Sequence, residues 1–271
     1  MFIYSRQHNS RVQLNHCKIL LNNGFVKERH SFSVSYPHFF PYEQCSPWRN
    51  RSCCTQETAR AIHESSHHPL DYDHCKSRRT LSKDCRRHFT QDDCFYECSP
   101  NVGPWVVKDN ERPWRTERFY GVPLCASDCE AWFEACLYDF TCTDNWSLNF
   151  RWVTITDDGI TKLSDGRQCK NGASSCKVNV CPEGSSCVTF LQMYGNASNF
   201  CETVWDGSWR YTPDDQPCMR LWFDGEAGNP NVAVAEFYAN LKSASGVDTL
   251  LLSPALALLV SVVAMFIRPG L

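Results

Sequence analysis

The eighteen cysteines constrain the fold of this 271-residue chain more than any other feature. An even number of cysteines at this density is typical of oxidising compartments, where disulfides persist. Zinc binding is the alternative, because Cys94/Cys98 and Cys125/Cys129 have metal-ligand spacing. Disulfides are favoured, because the cysteines are spread along the chain and glycosylation sequons accompany them. All of them are predicted to be oxidised: Cys17, Cys45, Cys53, Cys54, Cys75, Cys85, Cys94, Cys98, Cys125, Cys129, Cys136, Cys142, Cys169, Cys176, Cys181, Cys187, Cys201 and Cys218.

The balance of charge and the sequons narrow the classes of partner. The chain has 27 Lys and Arg residues against 30 Asp and Glu, for a formal net charge of −3. This balance offers no strongly basic surface, so nucleic acid is not a predicted partner. Sequons at Asn50, Asn145 and Asn196 predict N-glycosylation and, with the cysteines, indicate secretion or the cell surface.

The C-terminal part of the sequence has the pattern of a GPI-anchor signal. A cluster of small residues at 243–246 precedes an almost wholly apolar stretch from Leu250 to Ile267. Small residues, a short spacer and an apolar tail, in that order, predict GPI attachment at Ser243 or Ser245. The alternative is a single membrane-spanning helix that stops at Arg268. The anchor is favoured, because no basic cluster follows the tail to mark a cytoplasmic side.

These features divide the chain into three predicted parts. Residues 1–16 contain no continuous apolar stretch of the kind a signal peptide needs, and are an unassigned N-terminal segment. Residues 17–242 hold every cysteine and are predicted to form one globular domain. Residues 243–271 are predicted to be the GPI-anchor signal with its hydrophobic tail.

The segment Asp84–Pro104 is predicted to carry a ligand site on a short helix. Asp92 and Tyr96 are four residues apart and share one face of this helix, while Cys94 and Cys98 share another. One face is therefore predicted to be fixed by disulfides. The other is predicted to offer a carboxylate beside an aromatic ring.

Capping residues predict three further helices, over residues 55–66, 126–140 and 231–242. Thr55 is the predicted N-cap of the first. Ser127 and Glu130 are predicted to form a capping box at the start of the second. Residues 153–200, rich in Gly, Ser and Asp, are predicted to be irregular.

Two clusters allow more than one interpretation. Arg115 and Arg118, beside Trp114, form a planar donor set next to a stacking ring, and a solvated charge run is the alternative. His63 and His67 have the spacing to chelate a metal ion, but solvated histidines are the favoured interpretation, because no acidic or thiol ligand is placed to complete a site.

Long motifs in this sequence have a familiar order. They are CxPWRxxxCC at Cys45–Cys54, CxRHFxQDxCxYECSPNxGPW at Cys85–Trp105, WRxER at Trp114–Arg118, VPLCxxDCExWxExC at Val122–Cys136, YxxTCxxNW at Tyr138–Trp146 and RLWFDGEAGNPN at Arg220–Asn231. Through them the chain resembles the folate receptor family, over roughly Cys17 to the tail. The resemblance implies an α+β, disulfide-rich domain of several helices and short strands, with about eight or nine disulfides and a central ligand pocket.

The resemblance also implies a ligand set for folic acid or a reduced folate, with no cofactor. Asp92 matches the aspartate that binds the amino-pyrimidine edge of the pterin, and Tyr96 and Trp205 match the rings that stack on it. The remaining implied contacts are Arg115, Arg118 and Ser208 as donors, Trp114 in the aminobenzoate channel, Trp146 and Trp152 near the pocket mouth, and His68 in place of a channel tyrosine.

Some positions depart from the family pattern. Ser147-Leu148-Asn149 replaces a His-Lys-Gly segment that helps to hold the glutamate tail, which predicts altered affinity. Asp93 replaces a threonine, and is predicted to raise the pKa of Asp92 if both face the pocket.

Family analogy further implies specific disulfide pairs. The implied pairs are Cys17–Cys53, Cys45–Cys94 and Cys54–Cys98. Cys181 and Cys187 are surplus to the family framework and are predicted to bond to each other, closing a small local loop.

The predicted function is that of a cell-surface receptor, on the extracellular face of the plasma membrane or secreted, that captures folates and mediates their endocytic uptake. No nucleophile–base pair is evident in the sequence, so an enzyme is not predicted. One alternative is a gamete or cell adhesion receptor that recognises a cell-surface protein and does not bind folate. Another is a riboflavin-binding relative. The pterin set, which includes Asp92, Tyr96 and Trp205, favours folate.

Overall fold

The computed structural model describes residues 43–64, 70–109, 117–156, 169 and 174–251. Within these residues the α-helices are α1 (Gln56–His63), α2 (Lys83–Cys98), α3 (Ala126–Cys136), α4 (Phe190–Tyr194), α5 (Ala197–Val204) and α6 (Asn231–Leu251). Two 3-10 helices, Glu43–Trp48 and Gly103–Trp105, precede α1 and follow α2. None of the described helices is both long enough and apolar enough to cross a membrane.

In the described part of the chain, eight short strands pair two by two: β1 (Val106–Lys108), β2 (Glu117–Phe119), β3 (Val122–Cys125), β4 (Phe140–Thr141), β5 (Arg151–Thr156), β6 (Ser175–Val180), β7 (Val188–Thr189) and β8 (Trp209–Thr212). The β1–β2, β4–β7 and β5–β6 pairs are antiparallel, and β3–β8 is parallel. The α+β, disulfide-rich fold class is confirmed.

Helix α2 lies at the centre of the core. Its N-cap is Ser82, whose hydroxyl accepts a hydrogen bond from the backbone N–H of Cys85. Phe89 and Phe95 are fully buried on this helix. The chain turns to an extended conformation at Ser99, directly before Pro100, so the predicted central helix is confirmed.

Aromatic rings from several elements pack against Phe89. Its ring meets that of Trp132 of α3 edge to face at 5.0 Å, and Trp132 meets Phe200 of α5 at the same distance. Phe190 of α4 also contacts Phe89 and Phe200. Edge-to-face pairs of this kind contribute beyond simple area burial, so α2 is held by a continuous aromatic cluster.

Eight disulfides connect the described elements. They are Cys45–Cys94, Cys54–Cys98, Cys75–Cys187, Cys85–Cys136, Cys125–Cys218, Cys129–Cys201, Cys142–Cys181 and Cys169–Cys176. The predicted Cys45–Cys94 and Cys54–Cys98 pairs are confirmed. Cys53 is oxidised as well, and its predicted partner, Cys17, lies outside the described residues.

The predicted Cys181–Cys187 bond is wrong. Cys187 bonds to Cys75 and Cys181 to Cys142, across 112 and 39 residues of sequence. Strand β7 begins directly after Cys187 and pairs antiparallel with β4, which directly precedes Cys142. This pairing brings distant cysteines together, and two long-range bonds replace the predicted local loop.

The prediction that residues 153–200 are irregular is also wrong. Within them lie part of β5, all of β6 and β7, helix α4 and half of α5. Thr189 and Gln192 form a capping box at the start of α4, and the Asn196 side chain caps α5. These short polar caps start helices that are only five and eight residues long, which explains why no long periodic pattern marks them.

Three other predicted helices need smaller changes. Thr55 is the N-cap of α1, as predicted, and α1 ends at His63, before the described chain stops at residue 64. The Ser127–Glu130 capping box is wrong, because the backbone N–H and hydroxyl of Ser127 both bond to Asp214. Helix α3 ends at Cys136, and α6 starts at Asn231 as predicted but continues to Leu251.

Candidate ligand-binding site

A buried carboxyl group on α2 is the polar centre of the site. Asp92 is only 6 % exposed. The indole Nε1–H of Trp209 donates to Asp92 Oδ1 at 2.9 Å. Burying an ionisable group is costly unless it is hydrogen-bonded, and the Trp209 donor reduces this cost for Asp92.

The parallel pair β3–β8 sets the position of Trp209. Val122 of β3 is in register with Trp209 at the start of β8. The Val122 backbone N–H also donates to the Ser208 carbonyl at 2.9 Å. The Trp209 ring packs on Phe95 of α2, with centroids 4.9 Å apart. Backbone pairing and ring packing together fix the donor against Asp92.

Several groups act on the protonation of Asp92. Burial raises the pKa of this carboxyl well above its ordinary value, and the adjacent Asp93 carboxylate raises it further. The indole N–H groups of Trp209 and Trp205 act in the opposite direction. The Trp205 Nε1–H is buried without a hydrogen bond of good geometry among the described residues, so its effect on Asp92 comes from proximity.

Asp93, the next residue on α2, is held by Tyr72, whose hydroxyl donates to Asp93 Oδ2. Burial, followed by the charge of Asp93, raises the pKa of the Tyr72 phenol well above its ordinary value, so the phenol stays a donor. Asn179 of β6 holds the segment before Tyr72, because its side chain accepts from Asp71 N and donates to Asp71 O at 2.7 and 3.1 Å.

Aromatic rings wall the site next to Asp92. Trp146 stacks parallel on Phe89 at 4.6 Å, and Trp205 meets Trp146 edge to face at 5.8 Å. Tyr96, one helical turn after Asp92, packs on Phe119 of β2 at 4.6 Å. Trp146 is 2 % exposed and its Nε1–H donates to Thr141, so it forms a buried part of this wall.

The turn between α5 and β8 carries Trp205 and is fixed by polar contacts. Asp206 and Gly207 both have positive φ, and a Cβ on Gly207 would lie 3.0 Å from the Tyr120 ring. Arg118 Nη1 donates to the Asp206 carbonyl at 2.6 Å, and Nη2 lies 3.3 Å from the Asp206 carboxylate. Ser208 Oγ donates to the Trp205 carbonyl at 2.7 Å.

The sequence model of the folate receptor family matches residues 26–220 of this chain. The chain belongs to the folate receptor family. It is 35 % identical to human folate receptor gamma over 224 residues, which cover 81 % of each chain. It is also 35 % identical to bovine folate receptor alpha over 224 residues, 81 % of this chain and 82 % of the relative. A more distant match is riboflavin-binding protein of Dromaius novaehollandiae, 25 % identical over 179 residues, 66 % of this chain and 63 % of the relative.

The structure of this family member brings together part of the predicted ligand set. Asp92, Trp205 and Trp146 lie around Phe89, and Tyr96 continues the same face of α2. Arg118 and Ser208 both contact the Trp205 turn, so in this structure they support its backbone. Trp152 lies on β5, in register with Asn179, and is half-buried. His68, Trp114 and Arg115 lie outside the described residues.

Sequence reasoning missed Trp209 and Tyr72 as site residues. Trp209 appears in the sequence only as one of two tryptophans in VWDGSWRY, and its role depends on the parallel pairing with β3. Tyr72 stands in a segment without a clear sequence pattern, and that segment is held by Asn179, which is 107 residues further along the chain.

The zinc alternative does not fit the described cysteines. Cys94, Cys98, Cys125 and Cys129 are each bonded to another cysteine. A metal site needs deprotonated thiolates, and a disulfide sulfur is not one. Every described cluster with metal-ligand spacing includes such oxidised cysteines.

Proposed function

We propose that this chain is a cell-surface receptor that binds folate in the pocket around Asp92. The observation that carries the proposal is the buried Asp92 carboxyl, bonded to Trp209 and flanked by aromatic rings. The amino-pyrimidine edge of a pterin offers two parallel N–H donors, which a carboxylate accepts. The relatives named folate receptors support the same ligand class.

The electrostatics around Asp92 suit a ligand of this kind. Burial and Asp93 raise the pKa of Asp92, which disfavours the carboxylate. A ligand that donates two N–H bonds favours the charged form and offsets this cost. Tyr96 and Trp205 supply flat surfaces for the pterin ring.

The finer contacts are part of the proposal. Arg115 and Trp114 are proposed to extend the donor and stacking set, with His68, Trp146 and Trp152 along the rest of the ligand. Arg118 is proposed to donate to the pterin while it keeps its contacts with Asp206. Its Nε also lies 3.5 Å from Asp109 Oδ2, so two acidic groups restrain the guanidinium.

A titration of the secreted domain with folic acid tests the ligand. Tryptophan fluorescence is expected to be quenched on binding, because indole rings line the site. Asp92→Ala is expected to weaken binding on the order of 100-fold, since truncating one partner of a buried charged pair costs about 2–5 kcal/mol. The control is Asp84→Ala, an aspartate on the same helix whose side chain is 79 % exposed, and it is expected to bind as the wild type does.

The same assay separates folate from flavin. Riboflavin is expected to quench weakly or not at all, because its ring lacks the 2-amino-pyrimidine edge that Asp92 is proposed to bind. Quenching by riboflavin but not by folic acid would reassign the ligand. No response to either ligand would remove the proposed function and favour the adhesion alternative.

We also propose that residues 17–242 form the receptor domain and that residues 243–271 are the GPI-anchor signal. Ser243 is exposed near the end of the described side chains, with its hydroxyl bonded to the Ala239 carbonyl. A phosphatidylinositol-specific phospholipase is expected to release the protein from the surface of expressing cells. Retention after treatment would favour a membrane-spanning helix instead. Endocytic uptake of labelled folate by these cells tests the transport role.

The glycosylation sites are proposals as well. Asn50 and Asn196 are exposed. Asn145 is half-buried, and its side chain donates to Asp206 and accepts from two backbone N–H groups. Mass spectrometry after glycosidase treatment reports which of the three sequons carry glycan.

A further inference from the structure

We propose that Trp209 is a positioning residue of the ligand site, whose indole N–H holds Asp92 Oδ1 as a permanent acceptor, so that the carboxyl proton that the ligand displaces lies on Oδ2. This inference rests on the proposed function.

The geometry around the donor is rigid. Trp209 is 4 % exposed, its backbone lies in the β3–β8 pair, and its ring packs on Phe95. Asp92 sits on the same helix as Phe95, and disulfides at Cys94 and Cys98 fix that helix. Donor and acceptor therefore belong to one braced unit, and neither partner is free to turn away from the other.

The chemistry of the indole decides which oxygen of Asp92 carries the proton before a ligand binds. An indole N–H can only donate, and it does not ionise in the range where proteins are stable. The oxygen bonded to it must act as an acceptor in both protonation states of Asp92. When the carboxyl group is protonated, the proton therefore resides on Oδ2. A ligand N–H that approaches Oδ2 must displace this proton, so binding and deprotonation occur at one atom.

Other groups near Asp92 influence its charge but do not orient it in the same way. Asp93 acts through its negative charge and is itself bonded to Tyr72, next to Arg86. Trp205 contributes a nearby N–H that has no hydrogen bond of good geometry among the described residues. Trp209 donates a hydrogen bond to the carboxyl group of Asp92. Substitution of Trp209 removes this hydrogen bond without changing the charge of the protein.

The variant Trp209→Phe tests the proposal, because it keeps an aromatic ring against Phe95 and removes the N–H. Folic acid affinity near neutral pH is expected to fall about tenfold, as for loss of a hydrogen bond to a charged group. Trp222→Phe is the matched control, since Trp222 is 41 % exposed and far from Asp92 in its contacts. It is expected to bind as the wild type does.

The pH profile separates positioning from general damage. Without the indole N–H the charged form of Asp92 loses a donor, so its pKa rises further. The pH at which folic acid binding is half-maximal is therefore expected to move upward in Trp209→Phe. A loss of affinity with an unchanged pH midpoint would overturn the proposal, and so would unchanged affinity.

A ligand-free measurement keeps the test independent of the proposed function. In NMR spectra of the wild-type protein labelled with 15N-tryptophan, one indole N–H signal is expected to shift as Asp92 titrates. The same signal is expected to remain in the spectrum of Trp205→Phe, because it belongs to Trp209. This shift is expected to vanish in Asp92→Asn. If no such signal follows Asp92, the positioning role is wrong even where folate binds. If folic acid does not bind but the signal titrates, only the ligand assignment fails.

Discussion

The two faces of helix α2 differ in how they are held. One face carries Cys94 and Cys98, which are bonded to Cys45 and Cys54. The other carries Asp92 and Tyr96, which are held by hydrogen bonding and ring packing. A buried carboxyl with a raised pKa destabilises the folded state, and covalent cross-links offset such a cost. The disulfides on one face of α2 thus allow the opposite face to keep the Asp92 carboxyl group buried at the ligand site.

The largest expected effect comes from cutting the bonded face. Cys45 and Cys94 join the 3-10 helix Glu43–Trp48 to α2 across 49 residues of sequence. Chain-entropy arguments predict that the double change Cys45→Ser with Cys94→Ser lowers the free energy of unfolding by about 4 kcal/mol. Urea denaturation followed by tryptophan fluorescence measures this change.

The matched control for this prediction is Cys169→Ser with Cys176→Ser, which opens a loop spanning seven residues. Because a shorter loop restricts the unfolded chain less, the expected loss is about 2.5 kcal/mol. A larger loss of stability in the control than in the Cys45–Cys94 variant would show that the bonded face of α2 is not the more important brace.

The second prediction concerns Asp93, the neighbour of the ligand carboxyl. Tyr72→Phe removes the phenol that donates to Asp93 and leaves that carboxylate partly buried. A hydrogen bond to a charged group contributes about 1.5–3 kcal/mol, so unfolding is expected to become easier by that amount. Thermal denaturation near neutral pH provides the measurement.

Its control is Tyr211→Phe. Tyr211 also donates to a carboxylate, that of Glu130, but on the exposed surface. Exposed pairs contribute roughly 0–1 kcal/mol, so this variant is expected to be nearly as stable as the wild type. Equal losses in the two variants would contradict the importance of burial around Asp93.

The bonded face was easier to predict than the ligand face. Helix period alone separates Cys94 and Cys98 from Asp92 and Tyr96, and the motifs then implied two of the disulfides. The partners of Asp92 and Asp93 could not be predicted in the same way. Trp209 and Tyr72 reach α2 through a parallel strand pair and through Asn179, and such contacts between distant segments leave no local pattern.

The same reason explains the incorrect pairing of Cys181 with Cys187. Spacing favours a short local loop, but the pairing of β4 with β7 decides the outcome. The incorrect Ser127–Glu130 capping box has a related cause, because Asp214, 87 residues away, takes the Ser127 hydroxyl. Tertiary contacts overrode local preference in both places.

The third prediction uses pH to isolate Asp92. Its folded pKa lies above its ordinary value of 3.8, so between these values the folded state binds more protons than the unfolded state. Stability is therefore expected to fall as pH rises through this window, by at most about 1.4 kcal/mol per pH unit. Asp92→Asn is expected to remove this slope from a plot of the free energy of unfolding against pH.

His88 on the same helix has the opposite effect, which makes the comparison with Asp92→Asn necessary. Burial, with the nearby Arg87 charge, lowers the pKa of His88 from 6.5 to about 4. Its contribution to stability is lost as pH falls through that range, because the unfolded state takes up the proton first. His88→Gln is expected to flatten this acid limb, and an unchanged limb would contradict the assignment.

The smallest expected effects compare Thr55, which is a helix N-cap, with Ser127, which resembles one only in sequence. Thr55 caps α1 through Thr58 N, so Thr55→Ala is expected to cost about 1 kcal/mol of unfolding free energy. Ser127 has the sequence of a cap, but its hydroxyl donates to Asp214 and accepts from Arg220 instead of capping the first turn of α3. Ser127→Ala is expected to cost less than Thr55→Ala, because Arg220 keeps its own contact with Asp214 and the helix end is unchanged. Urea denaturation of both variants measures the difference, and a greater loss for Ser127→Ala would mean that the start of α3 depends on Asp214 as much as α1 depends on its cap.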